Sequence, residues 1–358
     1  MIERKQTRQV FIRDIPIGGG APIPVQSMTT TKTHDFDATI KEVERLEEAG
    51  CQIIRITVPD QKSADTLKEI KKRMTVPLVA DIHFNYRMAL EAVDAGADKI
   101  RINPGNIGNK ARVKAVLEKV KSANLPIRIG VNAGSLEKDL IEKYGYPTPE
   151  AMVESAKRHI RICRENDFDD IIVSLKASDV NLMMDAYRLF SSEFDYPLHL
   201  GVTEAGPTKS GSIKSAVGVG SLLAEGIGDT IRVSLTDDPV EEVHVGFEIL
   251  KSLGLATRGV TIVACPTCGR LEVDLFKISR EMEDKLKNIE TPMSIALMGC
   301  AVNGPGEATQ TDIGIAFGKG SGHIYYKGEN RGKVKEEEAM DHLVEMIHEF
   351  EKEQTNGG

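Results

Sequence analysis

The chain has 358 residues, 41% hydrophobic and 28% charged, a balance that excludes a disordered or fibrous protein. A formal net charge of −8, no Trp and 5% aromatic residues exclude a general nucleic-acid binder, which needs a basic face and stacking platforms. No stretch approaches the roughly 18 consecutive apolar residues that cross a membrane. The opening MIERKQTRQV lacks the apolar core of a secretion signal, so a cytoplasmic protein is expected.

The segment VFIRDIPIGGG, from Val10, predicts a small hairpin. From Pro24 a single rhythm repeats: a short β-branched run ending in polar residues, then a helix-period segment. Eight such runs are legible: PVQSMT from Pro24, IIRITV from Ile53, PLVADIH from Pro77, KIRINP from Lys99, PIRIGVNAG from Pro126, DIIVSLKAS from Asp170, PLHLGVTEA from Pro197 and DTIRVSLT from Asp229. Among the segments between them, ATIKEVERLEEAG places Ile40, Val43 and Leu46 on one face and ends in Gly50. Eight strand–helix units predict an α/β fold, a (β/α)8 TIM barrel, with the hairpin from Val10 plugging one barrel end. An open doubly wound sheet is the rival, disfavoured by the count and by the lack of GxGxxG after the first strand.

The eighth helix is expected from about Asp238, after an N-cap sequence TDD, to Leu253. The barrel domain is then 1–253, GLATRG at 254–259 is a linker, and 260–358 is a smaller α+β domain. That second domain reads as short strands and Gly-rich turns closed by a charged helix from about Gly332 to Lys352, whose stripe Met340, Leu343, Ile347 and Phe350 packs a core.

Sites in such barrels sit at the C-terminal ends of the strands. The last inward polar residues are Arg55, Asp81 with His83, Arg101 with Asn103, Arg128 with Asn132, Lys176, Thr203 with Glu204, and Arg232 with Ser234. Five cations from five strands repel one another unless an anion sits among them, and guanidinium groups suit phosphate oxygens. A multiply charged substrate, most simply a diphosphate, is expected. Asp81 and Glu204, with His83, are expected to remain free for proton transfer. GPTKSGS from Gly206 and GKGSG from Gly318 lack the spacing and context of phosphate loops.

Three of the five cysteines cluster late. Cys265-Pro-Thr-Cys268 is a CxxC pair; Cys300 follows after thirty-one residues inside MGCAVNGPGE, which ends at Glu307. CxxC suits zinc, a redox dithiol or an iron–sulfur cluster. Zinc wants a second close Cys or His pair, and a redox dithiol leaves the third Cys unexplained. A 4Fe–4S cluster on three thiolates with an oxygen ligand on the fourth iron is favoured, because oxygen is the more easily displaced ligand. The Gly-Pro-Gly before Glu307 suggests a sharp turn that aims it.

Taken together, PVQSMT, VADIHF, KIRINPGN, IRIGVNAGS, HLGVTEAG, ACPTCGR and MGCAVNGPGE closely resemble the 4-hydroxy-3-methylbut-2-enyl diphosphate synthase family, in its two-domain bacterial form, over nearly the whole chain. The resemblance implies reductive ring opening of 2-C-methyl-D-erythritol 2,4-cyclodiphosphate, with electrons from flavodoxin or ferredoxin. It implies a 4Fe–4S cluster on Cys265, Cys268, Cys300 and Glu307, and diphosphate contacts on Arg55, Arg101, Arg128, Asn132, Lys176, Arg232 and Ser234. Glu204 matches the family's proposed acid–base residue, with Asp81 and His83 nearby.

One geometric expectation concerns assembly. A last barrel helix of about 15 residues descends roughly 22 Å to the barrel's far end. A six-residue linker reaches at most roughly 20 Å. The second domain therefore reaches the mouth of a partner chain more easily than its own, and a head-to-tail homodimer with composite sites is expected, as in the family.

Overall fold

The computed structural model describes residues 2–108, 110–287 and 289–356. The chain divides into two compact units, one ending at Ala256 and one beginning at Thr257.

In the first unit, Val10–Ile12 (β1) and Ile15–Ile17 (β2) form an antiparallel hairpin. Eight further strands come after it: Gln26–Met28 (β3), Ile53–Thr57 (β4), Leu78–Ile82 (β5), Lys99–Ile102 (β6), Ile127–Asn132 (β7), Ile171–Lys176 (β8), His199–Leu200 (β9) and Thr230–Ile231 (β10). Helices lie between and after them: Phe36–Glu48 (α1), Gln61–Lys71 (α2), Tyr86–Asp94 (α3), Pro104–Ile107 (α4), Lys110–Ser122 (α5), Lys138–Tyr144 (α6), Pro149–Arg164 (α7), Val180–Glu193 (α8), Thr208–Ala224 (α9) and Pro239–Ser252 (α10).

Strands β3 to β8 pair in chain order as one parallel sheet, and β9 pairs with β10. Parallel bridges Val173↔Leu198 and Val25↔Ile231 join these two sheets at both edges, so the eight strands close into the expected barrel. The last two strands are short, but their flanking backbone continues the closure: Thr203 N donates to Ala177 O and Arg232 N to Leu200 O. Asp238 caps α10 as its sequence suggests, accepting from Val240 N.

Period-two alternation sorts the strand residues. Ile54, Ile56, Leu78, Ala80, Ile100, Ile102, Ile127 and Ile129 point outward into the core shared with the helices. Ile53, Val79 and Ile172 point inward and meet Val10, Ile12 and Ile17 of the hairpin, which therefore plugs the N-terminal end of the barrel. Toward the C-terminal end the interior turns polar, with Gln26, Lys99, Arg128, His199, Arg55, Asp81 and Arg101 all buried. An apolar floor under a charged interior is unusual for a barrel, whose inside is ordinarily filled by branched apolar side chains.

The second unit is a five-stranded sheet in chain order: Val260–Ala264 (β11), Met293–Met298 (β12), Ile313–Gly318 (β13), Ser321–Tyr326 (β14) and Glu329–Lys335 (β15). The first three strands are parallel, the last two antiparallel. Helices Leu275–Leu286 (α11) and Ala339–Asn356 (α13) pack Leu275, Ile278, Met282, Leu343, Ile347 and Phe350 on one face, against Ile295, Leu297, Ile313 and Ile315. The short helix Gly304–Ala308 (α12) packs on the other, against Ala296, Met298 and Ala316.

The structure corrects one expectation from sequence. The charged helix begins at Ala339, not near Gly332; Glu329–Lys335 is instead an edge strand, turned back onto β14 through Lys327 (φ 49°) and Gly328 (φ 80°). Lys333 and Lys335, read in sequence as the start of that helix, serve here with Glu329 and Arg331 to blunt an exposed sheet edge. The stretch between the two cysteine motifs contains α11, the crossover helix that joins parallel β11 to β12.

Candidate active site

The inward face of the barrel gathers the expected cations. Asp81, at the end of β5, accepts from Arg101 Nη1 at 3.0 Å and stands 3.6 Å from Arg55 Nε and 3.9 Å from His83 Nε2. Burial raises its carboxyl, but Arg55, Arg101 and, more weakly, His83 and Arg128 outweigh that and hold it below the usual carboxylate range. Contrary to the expectation from sequence, Asp81 is therefore not free for proton transfer; it is the counter-ion of two arginines. Burial, only partly offset by Asp81, pushes Arg55 down to about 10, and its Nη2 also meets Met28 Sδ at 2.7 Å.

Arg101 Nη2 donates to Gly130 O at 3.2 Å. A Cβ on Gly130 would lie 2.5 Å from Arg101 Nε, and one on Gly201 would lie 2.7 Å from Lys176 Nζ. Both glycines clear the space the cations occupy. With its amide oxygen and nitrogen exchanged, Asn132 satisfies both ends, the oxygen accepting from Arg101 Nη2 at 3.3 Å and the nitrogen donating to Val131 O at 3.2 Å.

Arg232 has a partner that the sequence did not reveal. Glu242, buried on α10, accepts from Arg232 Nη2 at 2.8 Å and Nε at 3.1 Å, and also from Ser27 Oγ and Leu235 N. Arg232 Nη1 donates to Ser234 Oγ at 2.8 Å. Two carboxylates thus fix three arginines. Arg128 and Lys176 pair with no carboxylate among the described residues. Arg128 is 1% exposed, and its Nε and Nη1 have no partner there. Burial first, then the neighbouring arginines, pushes both Arg128 and Lys176 well below their usual values.

At the rim, Thr203 is half-buried and Glu204 exposed. Glu204 holds a left-handed backbone (φ 53°), which costs a non-Gly residue about 1 kcal/mol. Such strain at a barrel mouth marks a side chain whose direction matters. His83 is half-exposed beside the exposed Phe84, ring centroids 6.3 Å apart.

Three interior residues are not among the candidates read from sequence. Lys99, His199 and Gln26 lie on the same inward faces as Arg101, Gly201 and Met28, two residues nearer the N-terminal end of each strand. The period-two rule that finds Arg101 also finds them once it is carried back from the strand end into the strand body.

In the second unit, parallel β11 and β12 bring the two cysteine motifs side by side, with Ala264 opposite Leu297. Gly299 N donates to Cys265 Sγ at 3.4 Å. Cys268 is exposed, and Cys265 and Cys300 are half-buried. Backbone hydrogen bonding and the Arg270 side chain lower the Cys268 thiol. Backbone N–H groups of Val302 and Asn303 lower Cys300. Both are thus biased toward the thiolate that metals bind. Glu307 is exposed on α12, which lies close against β13 because Gly314 has no Cβ; one there would stand 2.7 Å from Ala308 O. Among the described residues no three His, Cys, Asp or Glu side chains converge as a metal-binding group. The donor set nevertheless fits an iron–sulfur cluster chemically: three partly accessible thiols, two of them lowered, just beyond the C-terminal ends of two neighbouring parallel strands.

A closed parallel barrel with a cation-lined mouth, followed by a cysteine-bearing α/β unit, defines a two-domain TIM-barrel enzyme. Residues 7–247 match the family model of the GcpE TIM-barrel domain, and residues 261–349 that of the GcpE protein C-terminal domain. The chain belongs to this family. It is 57% identical over 353 residues to 4-hydroxy-3-methylbut-2-en-1-yl diphosphate synthase (flavodoxin) of Geobacillus thermodenitrificans, covering 99% of this chain and 94% of that one. The enzyme of the same name from Thermodesulfovibrio yellowstonii is 57% identical over 347 residues, covering 97% and 99%. That of Anoxybacillus flavithermus is 54% identical over 358 residues, covering 100% and 98%. A solved structure, Plasmodium falciparum HPPK-DHPS, shares the barrel fold alone, with a TM-score of 0.50 at 12% identity over 69% of this chain and 52% of that one. No helix among the described residues is long and apolar enough to cross a membrane.

Proposed function

We propose that the chain, in the cytoplasm, converts 2-C-methyl-D-erythritol 2,4-cyclodiphosphate to 4-hydroxy-3-methylbut-2-enyl diphosphate and water, using two electrons passed from flavodoxin or ferredoxin. The relatives' names support the product and the flavodoxin donor. The observation that carries the substrate class is the pair Arg128 and Lys176, buried cations with no carboxylate of their own among the described residues, beside three arginines that have one. An anion with two phosphoryl groups supplies the missing counter-charge.

In this reading Arg128 and Lys176 bind the diphosphate, and Arg55, Arg101, Arg232, Asn132, Thr203 and Ser234 orient it. Asp81 and Glu242 act by holding the arginine forks in place, which keeps the mouth preorganised. Glu204 is the proton donor or acceptor, aimed by its left-handed backbone, and His83, steadied by Asp81, is the other candidate. Cys265, Cys268, Cys300 and Glu307 would hold a 4Fe–4S cluster, which supplies the electrons and an exchangeable Lewis-acid position. The short linker from Ser252, the end of α10, to Val260 favours a head-to-tail homodimer in which each mouth is served by the partner's second unit.

The test is anaerobic purification followed by iron and sulfide analysis and turnover of the cyclodiphosphate with reduced flavodoxin. A brown protein with four irons per chain that forms the allylic diphosphate is the expected result. A colourless protein with stoichiometric zinc points instead to a non-redox barrel enzyme, and an iron–sulfur protein that binds no cyclodiphosphate to a redox sensor.

A further inference from the structure

Below the cations that the proposed function uses lies a second set of polar groups. Lys99 and His199 are fully buried, and Lys99 Nζ and both ring nitrogens of His199 have no hydrogen-bond partner among the described residues. Solvent does not reach them from the far end, because Ile53, Val79 and Ile172 meet the hairpin there. Their charged neighbours are cations. Lys99 faces Arg128 and Arg55; His199 faces Arg128, Lys176, Lys99 and Arg55.

The nearby acids are engaged elsewhere: Asp81 with Arg55 and Arg101, Glu242 with Arg232, Asp98 with Lys71, and Asp229 with Arg4 and Leu198 N. Tyr187 donates its hydroxyl to His199 O at 2.6 Å, to the backbone and not the ring. Burial and these cations therefore favour the neutral forms of both Lys99 and His199 in the free protein.

We propose that Lys99 and His199 form a proton-accepting layer beneath the anion site, so that a diphosphate seated on Arg128 and Lys176 draws protons from solvent onto Lys99 Nζ and the His199 ring. This rests on the diphosphate reading of the mouth. The physical reason is that the cations which oppose protonation are the ones the anion neutralises, and binding and protonation then favour each other equally. The two bases position and charge-match the ligand without touching it.

The experiment is calorimetric binding of the cyclodiphosphate to the oxidised holoenzyme in buffers of different ionisation heat, near pH 8. The ligand's phosphoryl groups are already ionised there, so any proton exchange belongs to the protein. Wild type takes up protons, and K99M/H199Q binds the same ligand with at least half of that uptake lost. Binding by wild type with no uptake, or unchanged uptake in the variant, overturns the proposal while leaving the diphosphate reading intact. Absence of binding by wild type overturns both. A second readout needs no variant: the ring 15N shifts of His199 move to the imidazolium pattern on ligand addition, and shifts that stay neutral overturn the role of His199.

Discussion

The barrel interior and the thiol edge of the second unit prepare their functional groups by opposite means. In the barrel, Arg55, Arg101, Arg128 and Lys176 are buried, and desolvation is the first influence on Arg55, Arg128 and Lys176, pushing each toward its uncharged form. At the thiol edge, Cys268 and Cys300 are accessible, and hydrogen bonds from the backbone lead, drawing each toward its charged form. A buried cation set with too few acids is a demand for an anion. An accessible pair of thiols with lowered proton affinity, beside a third, is a demand for a metal. One half of the molecule selects by charge deficit in a dry interior, the other by ligand softness at an open edge.

The largest effect expected from this contrast is a double dissociation. Cys300→Ser abolishes turnover and lowers iron content while leaving cyclodiphosphate binding near wild type. Arg128→Met keeps the iron and weakens binding about 10- to 100-fold, the worth of a charge-assisted hydrogen bond or two. At substrate levels where neither variant alone turns over measurably, mixing the two restores activity if each mouth is served by a partner chain; failure to complement, with mixed dimers shown by mass, breaks the head-to-tail reading.

The next effect is on stability. Asp81→Asn leaves Arg55 and Arg101 buried without their counter-ion, at a cost of about 3 kcal/mol near neutral pH. The wild-type carboxyl is held below its unfolded value of about 3.9, so its stabilisation is complete above that pH and is lost as the pH falls further, through the folded value. Urea unfolding from pH 7 to 3 should show the gap between wild type and variant narrowing below about pH 4; a constant gap would show that Asp81 is not an ion-paired carboxylate.

The smallest effect sharpens the rim. Glu204→Gly removes about 1 kcal/mol of left-handed strain and adds nearly as much unfolded-chain entropy, so thermal unfolding should report a gain of only roughly a few tenths of a kcal/mol. A loss of more than about 1 kcal/mol would mean that the Glu204 side chain is held by contacts rather than aimed by its backbone.

What the amino-acid order settled on its own was periodic. Alternation of two along KIRINP and IRIGVN declares which side chains enter a barrel, and a spacing of CxxC declares a pair of thiols, because both depend on local backbone geometry alone. Pairing was decided only by the tertiary structure. Glu242 lies on α10 yet closes on Arg232 and Ser27, the latter 215 residues away, and Asp81 meets Arg55 and Arg101 from neighbouring strands. The edge strand at Glu329–Lys335 likewise became visible only against β14, since a charged segment is compatible with a helix face until a partner strand claims its backbone. Periodicity is carried by neighbours in the chain; which charge remains unpaired depends on every group that folding brings within a few ångströms, and no single segment holds that information.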